Sequence, residues 1–258
     1  KTDKEILKNC IKSINKSVSI NIVENSNKFE NEDYFSDLDQ NFNIICTGRN
    51  LGYAGGHNYG ISRVKTKYVL ILNPDLICLE GYFEKIQKYL NNNINFNIIG
   101  SQYESNKMNK PAYGLFDKKE YNPILSADKN NLQNVDWVVG CSMLIDLSKF
   151  PEKNIFDNNF FLFYEETDLC KNVKLNNGLV YSSRDLIIDH YGEKGSFAIY
   201  PDKKNTYLKL RNWHLMWSSF YFYKKNYSYN YAFKLLFGSL IKSFIKFIFF
   251  GILFNKPN

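Results

Sequence analysis

Tyr68-Val69-Leu70-Ile71-Leu72-Asn73-Pro74-Asp75 carries the first decision about this chain. Five consecutive apolar residues, some of them β-branched, have neither the period of two of a half-buried strand nor the length of a helix. They predict a strand buried on both faces, as in an α/β sheet. The run stops at Asn73-Pro74, so Asp75 stands just beyond the carboxyl end of the strand, where open α/β sheets bind ligands. A carboxylate there can hold magnesium or manganese, hard ions that join one or two carboxylates to substrate phosphates. The competing reading makes Asp75 the cap of a following helix.

Upstream, Phe42 to Cys46 reads as a second strand, followed by Asn50-Leu51-Gly52-Tyr53-Ala54-Gly55-Gly56-His57-Asn58-Tyr59-Gly60. The glycines predict a turn whose amides approach a phosphate, with a helix from about Asn58 to Lys65; a purely structural turn is the alternative. Neither the dinucleotide fingerprint nor the Gly-Lys-Ser/Thr loop of triphosphatases is matched. Downstream, Asp136 to Ile145 reads as another buried strand, in which Gly140 lets a group approach the backbone. An aromatic stretch, Phe156 to Tyr164, leads into Glu165-Glu166-Thr167-Asp168, and Thr167 to Leu175 reads as helix. Crowding these carboxylates beside aromatic rings raises at least one pKa toward the range of a general base. An acidic first turn that complements the helix dipole is the compatible alternative.

Taken in order, Asn50 to Gly60, Leu72 to Asp75, Trp137 to Gly140, Phe156 to Asp168 and His190 to Ser196 resemble the motifs of inverting family 2 glycosyltransferases. The resemblance covers roughly residues 1 to 215 and is nearest the bacterial rhamnosyltransferase-like branch. It implies the GT-A fold, a mixed α/β sheet flanked by helices. It also implies Asp75 and His190 at a Mg2+ or Mn2+ ion, and Glu166 as base, with Glu165 and Asp168 as alternatives. Donor contacts are implied at Glu24, Asn50, Gly52, Gly55, Gly56, Asn58, Asn73, Asp75, Trp137 and Gly140. Glu replaces the usual Asp at 24 and 166, which leaves the identity of the base open among the three acids. Relatives begin with a buried strand that this sequence lacks, so that strand is expected ahead of Lys1.

The reaction implied is a single displacement from a nucleoside-diphosphate sugar, dTDP-rhamnose first and a UDP-hexose next, to a glycan or lipid-linked acceptor in surface polysaccharide synthesis. A catalytically silent nucleotide-sugar-binding subunit and a sugar nucleotidyltransferase are the alternatives from other classes.

A chain of 258 residues can bury a full α/β core as one domain with an appendage. Five dispersed cysteines read as reduced residues of a cytosolic protein. The net charge of +7 is dispersed and accompanied by no nucleic-acid motif, so nucleic acid is set aside as a partner. From Ala232 to Phe254 the chain is largely apolar, yet Lys234, Ser239, Lys242, Ser243 and Lys246 fill about half of a helical wheel, opposite Leu236, Phe237, Leu240, Ile241, Phe244, Phe247 and Ile248. Such a basic amphipathic helix, flanked by tyrosines, suits the inner face of the cytoplasmic membrane, where a lipid-linked acceptor would lie. Packing on the catalytic domain or on another subunit is the alternative, which keeps a homo-oligomer open. The expected organisation is a glycosyltransferase domain over 1–215 and a helical, membrane-associating tail over 216–258.

Overall fold

A computed structural model describes residues 2–30, 32–104, 112–116, 128–190 and 204–254. Its main sheet has the order β3-β9-β5-β10-β4, with β7 also paired to β10. The strands are β3 (Tyr68–Leu72), β4 (Leu76–Cys78), β5 (Ile98–Tyr103), β7 (Leu132–Asn134), β9 (Ser142–Asp146) and β10 (Val180–His190). Only β5 and β10 run parallel; β3 and β5 are antiparallel to β9, and β4 and β7 antiparallel to β10. A separate parallel ladder joins β1 (Ile20–Glu24) to β2 (Phe42–Cys46), and β6 (Tyr113–Gly114) pairs with β8 (Trp137–Val138). This is the mixed sheet expected from the sequence. The strand expected ahead of Lys1 lies outside the described residues.

Successive residues of one strand serve opposite layers, as strand geometry requires. On β9, Met143 and Ile145 join α2 (Gly52–Ile61) and α4 (Glu165–Leu175) through Ala54, Ile61, Leu169 and Val173. Leu144 between them faces α1 (Lys4–Lys12) and α3 (Tyr82–Asn91), meeting a layer that contains Cys10, Tyr82, Ile86 and Tyr89. Helices thus cover both faces, which is why the central strands read as continuous apolar runs. The hydroxyl of Tyr82 reaches the centre of the sheet, where Ser101 and Ser142 lie at 2.7 and 2.8 Å and satisfy it. The five cysteines are free thiols, four of them buried.

Three local expectations change. The glycine run does not precede a helix over Asn58 to Lys65; it is itself the helix α2, Gly52–Ile61. Low helix propensity is overridden by packing that bulkier residues would prevent: a Cβ on Gly60 would lie 2.8 Å from Val23 Cγ2 of β1. Second, the strand expected from Asp136 to Ile145 is split into β8 and β9, and Val139 to Cys141 form the interruption. Third, Asp75 is followed by β4, so the helix-cap reading of Asp75 falls.

Two long helices end the described chain, α5 (Lys204–Asn226) and α6 (Tyr229–Phe254). Helix α5 runs unbroken through 215 and 216, the boundary expected from the sequence, and buries Ser218, Ser219 and Phe222. Among the described residues no helix is long and apolar enough to cross a membrane. The outer faces of both helices leave Trp213, Trp217, Phe233, Phe237 and Leu240 exposed.

Candidate active site

The β10–β4 register sets His190 opposite Leu76, so the last residue of β10 comes to lie beside Asp75. His190 Nε2 is 3.3 Å from Asp75 Oδ1, and both side chains are largely buried. Neither imidazole nitrogen has a hydrogen-bond partner. The ring of Tyr103, from the end of β5, stacks on His190 at 5.9 Å between centroids, and its hydroxyl accepts from Cys141 Sγ at 3.7 Å. The amide of Asn73 donates to Cys141 O at 2.8 Å, tying the end of β3 to the interruption between β8 and β9.

The interruption carries Gly140, whose carbonyl accepts from the Tyr53 hydroxyl of α2. A Cβ at Gly140 would stand 3.0 Å from that hydroxyl and 3.3 Å from Glu166 Cβ, so only glycine permits this approach without displacement. Glu166 and Glu165 open α4 directly after Phe163 and Tyr164, two bulky residues with φ of 71° and 67°. Left-handed backbone at such residues is strained, and strain of this kind collects at functional sites. One carboxylate oxygen of each glutamate, Oε2, is buried without a hydrogen-bond partner.

Burial pushes both carboxyls well above the ordinary carboxylate range. The charge of Glu166 raises Glu165 further, whereas the backbone N–H groups of Glu166 and Thr167 hold Glu166 down. Burial, and then the charges of Glu165 and Glu166, raise the Tyr53 phenol, which stays protonated. His57, stacked edge-on to Tyr53 at 4.2 Å, is lowered by burial to about 4 and is neutral near pH 7.

The third acid of the motif is engaged elsewhere. Asp168, 1% exposed, receives Lys225 Nζ at 2.6 Å, Asn226 Nδ2 at 2.9 Å and Asn172 Nδ2 at 3.2 Å. Both of its oxygens are thus occupied by protein donors.

The residues expected to contact donor are divided. Beyond β1, Asn50 Oδ1 accepts from the Gly52 amide, and Asn25 Oδ1 accepts from Leu51 N at 2.8 Å while its Nδ2 donates to Gly52 O at 2.8 Å. Tyr53 N donates to Phe161 O at 2.7 Å. The amides of Leu51, Gly52 and Tyr53 are thus committed within the protein. Asn58 is a buried clip, its Oδ1 accepting from Phe156 N and its Nδ2 donating to Phe156 O and Asn158 Oδ1. Gly56 faces Asn25, and Trp137 lies against Gly114. Glu24 ends β1 and offers its carbonyl to Thr47 N at 3.0 Å. Asn50, Gly55 and Asn58 line a cavity of about 700 Å³ together with Arg49, Lys153 and Phe161, and none of Asp75, Glu165, Glu166 and His190 lines it. The fold brings Glu166 to Gly140 and His190 to Asp75, and Tyr103 and Cys141 lie within reach of the charges of both Glu166 and Asp75. Tyr53, Tyr103 and Asn25 were missed from sequence; Tyr53 at least stood inside the glycine run as its first aromatic residue.

Asp75 and His190 converge at 3.3 Å with no hydrogen bond to the His190 nitrogens, and their donor set, one carboxylate and one imidazole, fits a divalent ion that takes its other ligands from phosphate oxygens and water. Among the described residues no group of three or more His, Cys, Asp or Glu could hold a metal. The protein's share of such a site would be these two residues.

Comparison with known proteins bears on the family and the fold. Hexosyltransferase Agl10 of low-salt glycan biosynthesis in Haloferax volcanii is 27% identical over 220 residues, spanning 79% of this chain and 71% of that protein. The dTDP-rhamnosyl transferase RfbF of Shigella flexneri is 24% identical over 222 residues, spanning 80% and 71%. Among solved structures, GalNAc-T7 with UDP, GalNAc and Mn2+ superposes with a TM-score of 0.51 at 11% identity, over 63% of this chain and 35% of that one. A 1–349 form of S. aureus TarS gives a TM-score of 0.51 at 12% identity, over 70% and 57%. These similarities show the GT-A fold, and the glycosyl transferase family 2 model matches residues 2–150, more than half of the sequence. This chain belongs to glycosyl transferase family 2 and is a glycosyltransferase.

Proposed function

We propose that this chain transfers a sugar, with inversion, from a nucleoside-diphosphate donor to a glycan or lipid-linked acceptor in surface polysaccharide synthesis, with Glu166 as base. The observation that carries the reading is the pair of partnerless carboxylate oxygens at the head of α4, where Glu166 packs on Gly140, while the Asp75–His190 pair is tied to the same interruption through the Asn73–Cys141 hydrogen bond. Glu166 accepts the proton of the acceptor hydroxyl as that oxygen attacks the anomeric carbon. Glu165, raised by burial and by the neighbouring charge, is the second carboxyl beside it. Gly140 admits the group by leaving its own side-chain space empty. Asp75 and His190 would hold Mg2+ or Mn2+, which when bound offsets the charge of the departing diphosphate.

dTDP-rhamnose is the first donor to test, supported by the similarity to RfbF, and a UDP-hexose the second. A thermal-shift panel of dTDP-rhamnose, UDP-glucose, UDP-galactose and GDP-mannose, each with Mn2+, Mg2+ or chelator, should show metal-dependent stabilisation by one donor. Asp75→Asn should weaken that donor about tenfold or more in the presence of Mn2+, equivalent to ~1.4 kcal/mol, and leave its metal-free binding unchanged. Equal affinity in the variant would remove Asp75 from the metal. Donor binding with neither transfer nor hydrolysis would favour a silent subunit, and pyrophosphate release from a nucleoside triphosphate would favour a nucleotidyltransferase.

For the tail, the reading is docking on an anionic membrane surface from the cytoplasmic side. Residues 204–254 contain eight Lys and Arg and no Asp or Glu, and the exposed rings of α6 lie beside exposed Lys234 and Lys242. Because α5 packs on the catalytic helix, we place the boundary of the appendage between α5 and α6. Deleting residues 232–258 should abolish co-sedimentation with phosphatidylglycerol vesicles; unchanged binding would refute the membrane role.

A further inference from the structure

One face of α5 covers the whole segment that leads into the candidate base. His214 stacks on Phe161 at 4.7 Å, Ser218 Oγ donates to Leu162 O at 2.8 Å, and Phe222 lies 5.2 Å from the ring of Tyr164. The row ends in an ionic clasp. Lys225 Nζ bridges Asp157 Oδ2 at 2.8 Å and Asp168 Oδ2 at 2.6 Å, so one ammonium closes the loop from its first residue to the first turn of α4. Asn226 holds the second oxygen of Asp168, and the Tyr221 hydroxyl donates to Asp157 Oδ2 at 3.0 Å.

Between the two aspartates sit Phe163 and Tyr164, whose left-handed backbone persists only where surrounding contacts impose it. A relaxed turn would rotate the start of α4 and withdraw Glu165 and Glu166 from Gly140. Loop and helix meet α5 largely through rings that tolerate sliding, with the Ser218–Leu162 and Tyr221–Asp157 hydrogen bonds among them; the clasp adds the charged contacts, three groups meeting at single positions.

We propose that Lys225 is a positioning residue for the transfer reaction: by bridging Asp157 and Asp168 it holds the Phe163–Tyr164 turn, and with it Glu166, in its working arrangement. The inference rests on the reading of Glu166 as base. It assigns a role in the reaction to a helix that lies outside the matched family segment, residues 2–150.

The test uses the full chain with Lys225→Gln and Lys225→Arg, read by hydrogen exchange and by kinetics. Lys225→Gln should lower protection of the amides from Leu162 to Asp168 by about tenfold while β5 and β9 keep theirs. It should also lower kcat about tenfold, with unchanged KM, for whichever of dTDP-rhamnose and UDP-glucose the native protein consumes. Lys225→Arg, which keeps the charge and can fork between two carboxylates, should restore both. Unchanged protection of the turn, a loss spread equally over β5 and β9, or unchanged kcat in Lys225→Gln would each overturn the proposal. If Lys225→Gln does not fold, Asp157→Asn opens the clasp at its less buried end, and there too an unchanged turn overturns it. If the native protein consumes neither donor, the transferase reading fails separately, and exchange at the turn still decides whether the clasp holds it.

Discussion

Glu166→Gln is expected to lower kcat at least about 100-fold, the lower end of what a general base contributes, with donor affinity nearly unchanged. The amide keeps the volume and the neighbours of the carboxyl but cannot take a proton. Glu166 belongs to a buried pair of carboxyls that burial raises, and backbone N–H groups favour its charged form. Its pKa is still raised by burial, so kcat/KM of the native protein should climb with pH through an ionisation above the ordinary value of about 4.3. That limb should vanish in the variant's residual activity.

Stability should move the opposite way with pH. A carboxyl raised in the folded state binds its proton more tightly there than in the unfolded chain, so stability falls as pH rises from about 4.3 through the raised pKa. Glu166→Gln removes part of that loss, and urea titrations between about pH 5 and 8 should show a shallower decline than in the native protein. This readout needs no donor. Near-normal turnover in Glu166→Gln, with loss in Glu165→Gln, would transfer the role of base to Glu165.

Gly52→Ala is expected to destabilise the fold by about 3 kcal/mol, combining backbone strain with overpacking. Gly52 has φ of +74°, and its Cβ would lie 2.4 Å from the carbonyl oxygen of Phe161. That oxygen accepts the Tyr53 amide, so relief by moving Phe161 would break the bond that starts α2 and disturb the loop before α4. A midpoint shift in denaturant with unchanged slope would register the loss. Gly48→Ala is the control, since its φ is also positive but no atom lies within 4 Å of the added Cβ. Equal effects of the two substitutions would mean that strain alone, without the contact to Phe161, accounts for the loss.

Local pattern alone determined a good deal. The apolar run ending at Leu72, the strand Phe42 to Cys46 and the acidic start of α4 were readable because period and length report burial directly. The order of motifs named the fold and the family. Asp75 was placed correctly beyond a strand end because an abrupt Asn-Pro-Asp stop leaves few alternatives. What sequence could not give was pairing between distant segments. That His190 stands beside Asp75 follows from the antiparallel register of β10 on β4, a non-local fact. That the glycine run is a helix was hidden because propensity opposes it and only close packing against β1 permits it. The resemblance put Glu166 first among the acids at 165, 166 and 168, but residue type alone did not divide them. Tertiary structure separated them: Lys225 and Asn226, nearly sixty residues away in the chain, engage both oxygens of Asp168, whereas one oxygen of each adjacent glutamate is buried without a hydrogen-bond partner. Charge type is written locally, but basicity depends on which groups the fold brings within reach, and that is decided only when the chain closes on itself.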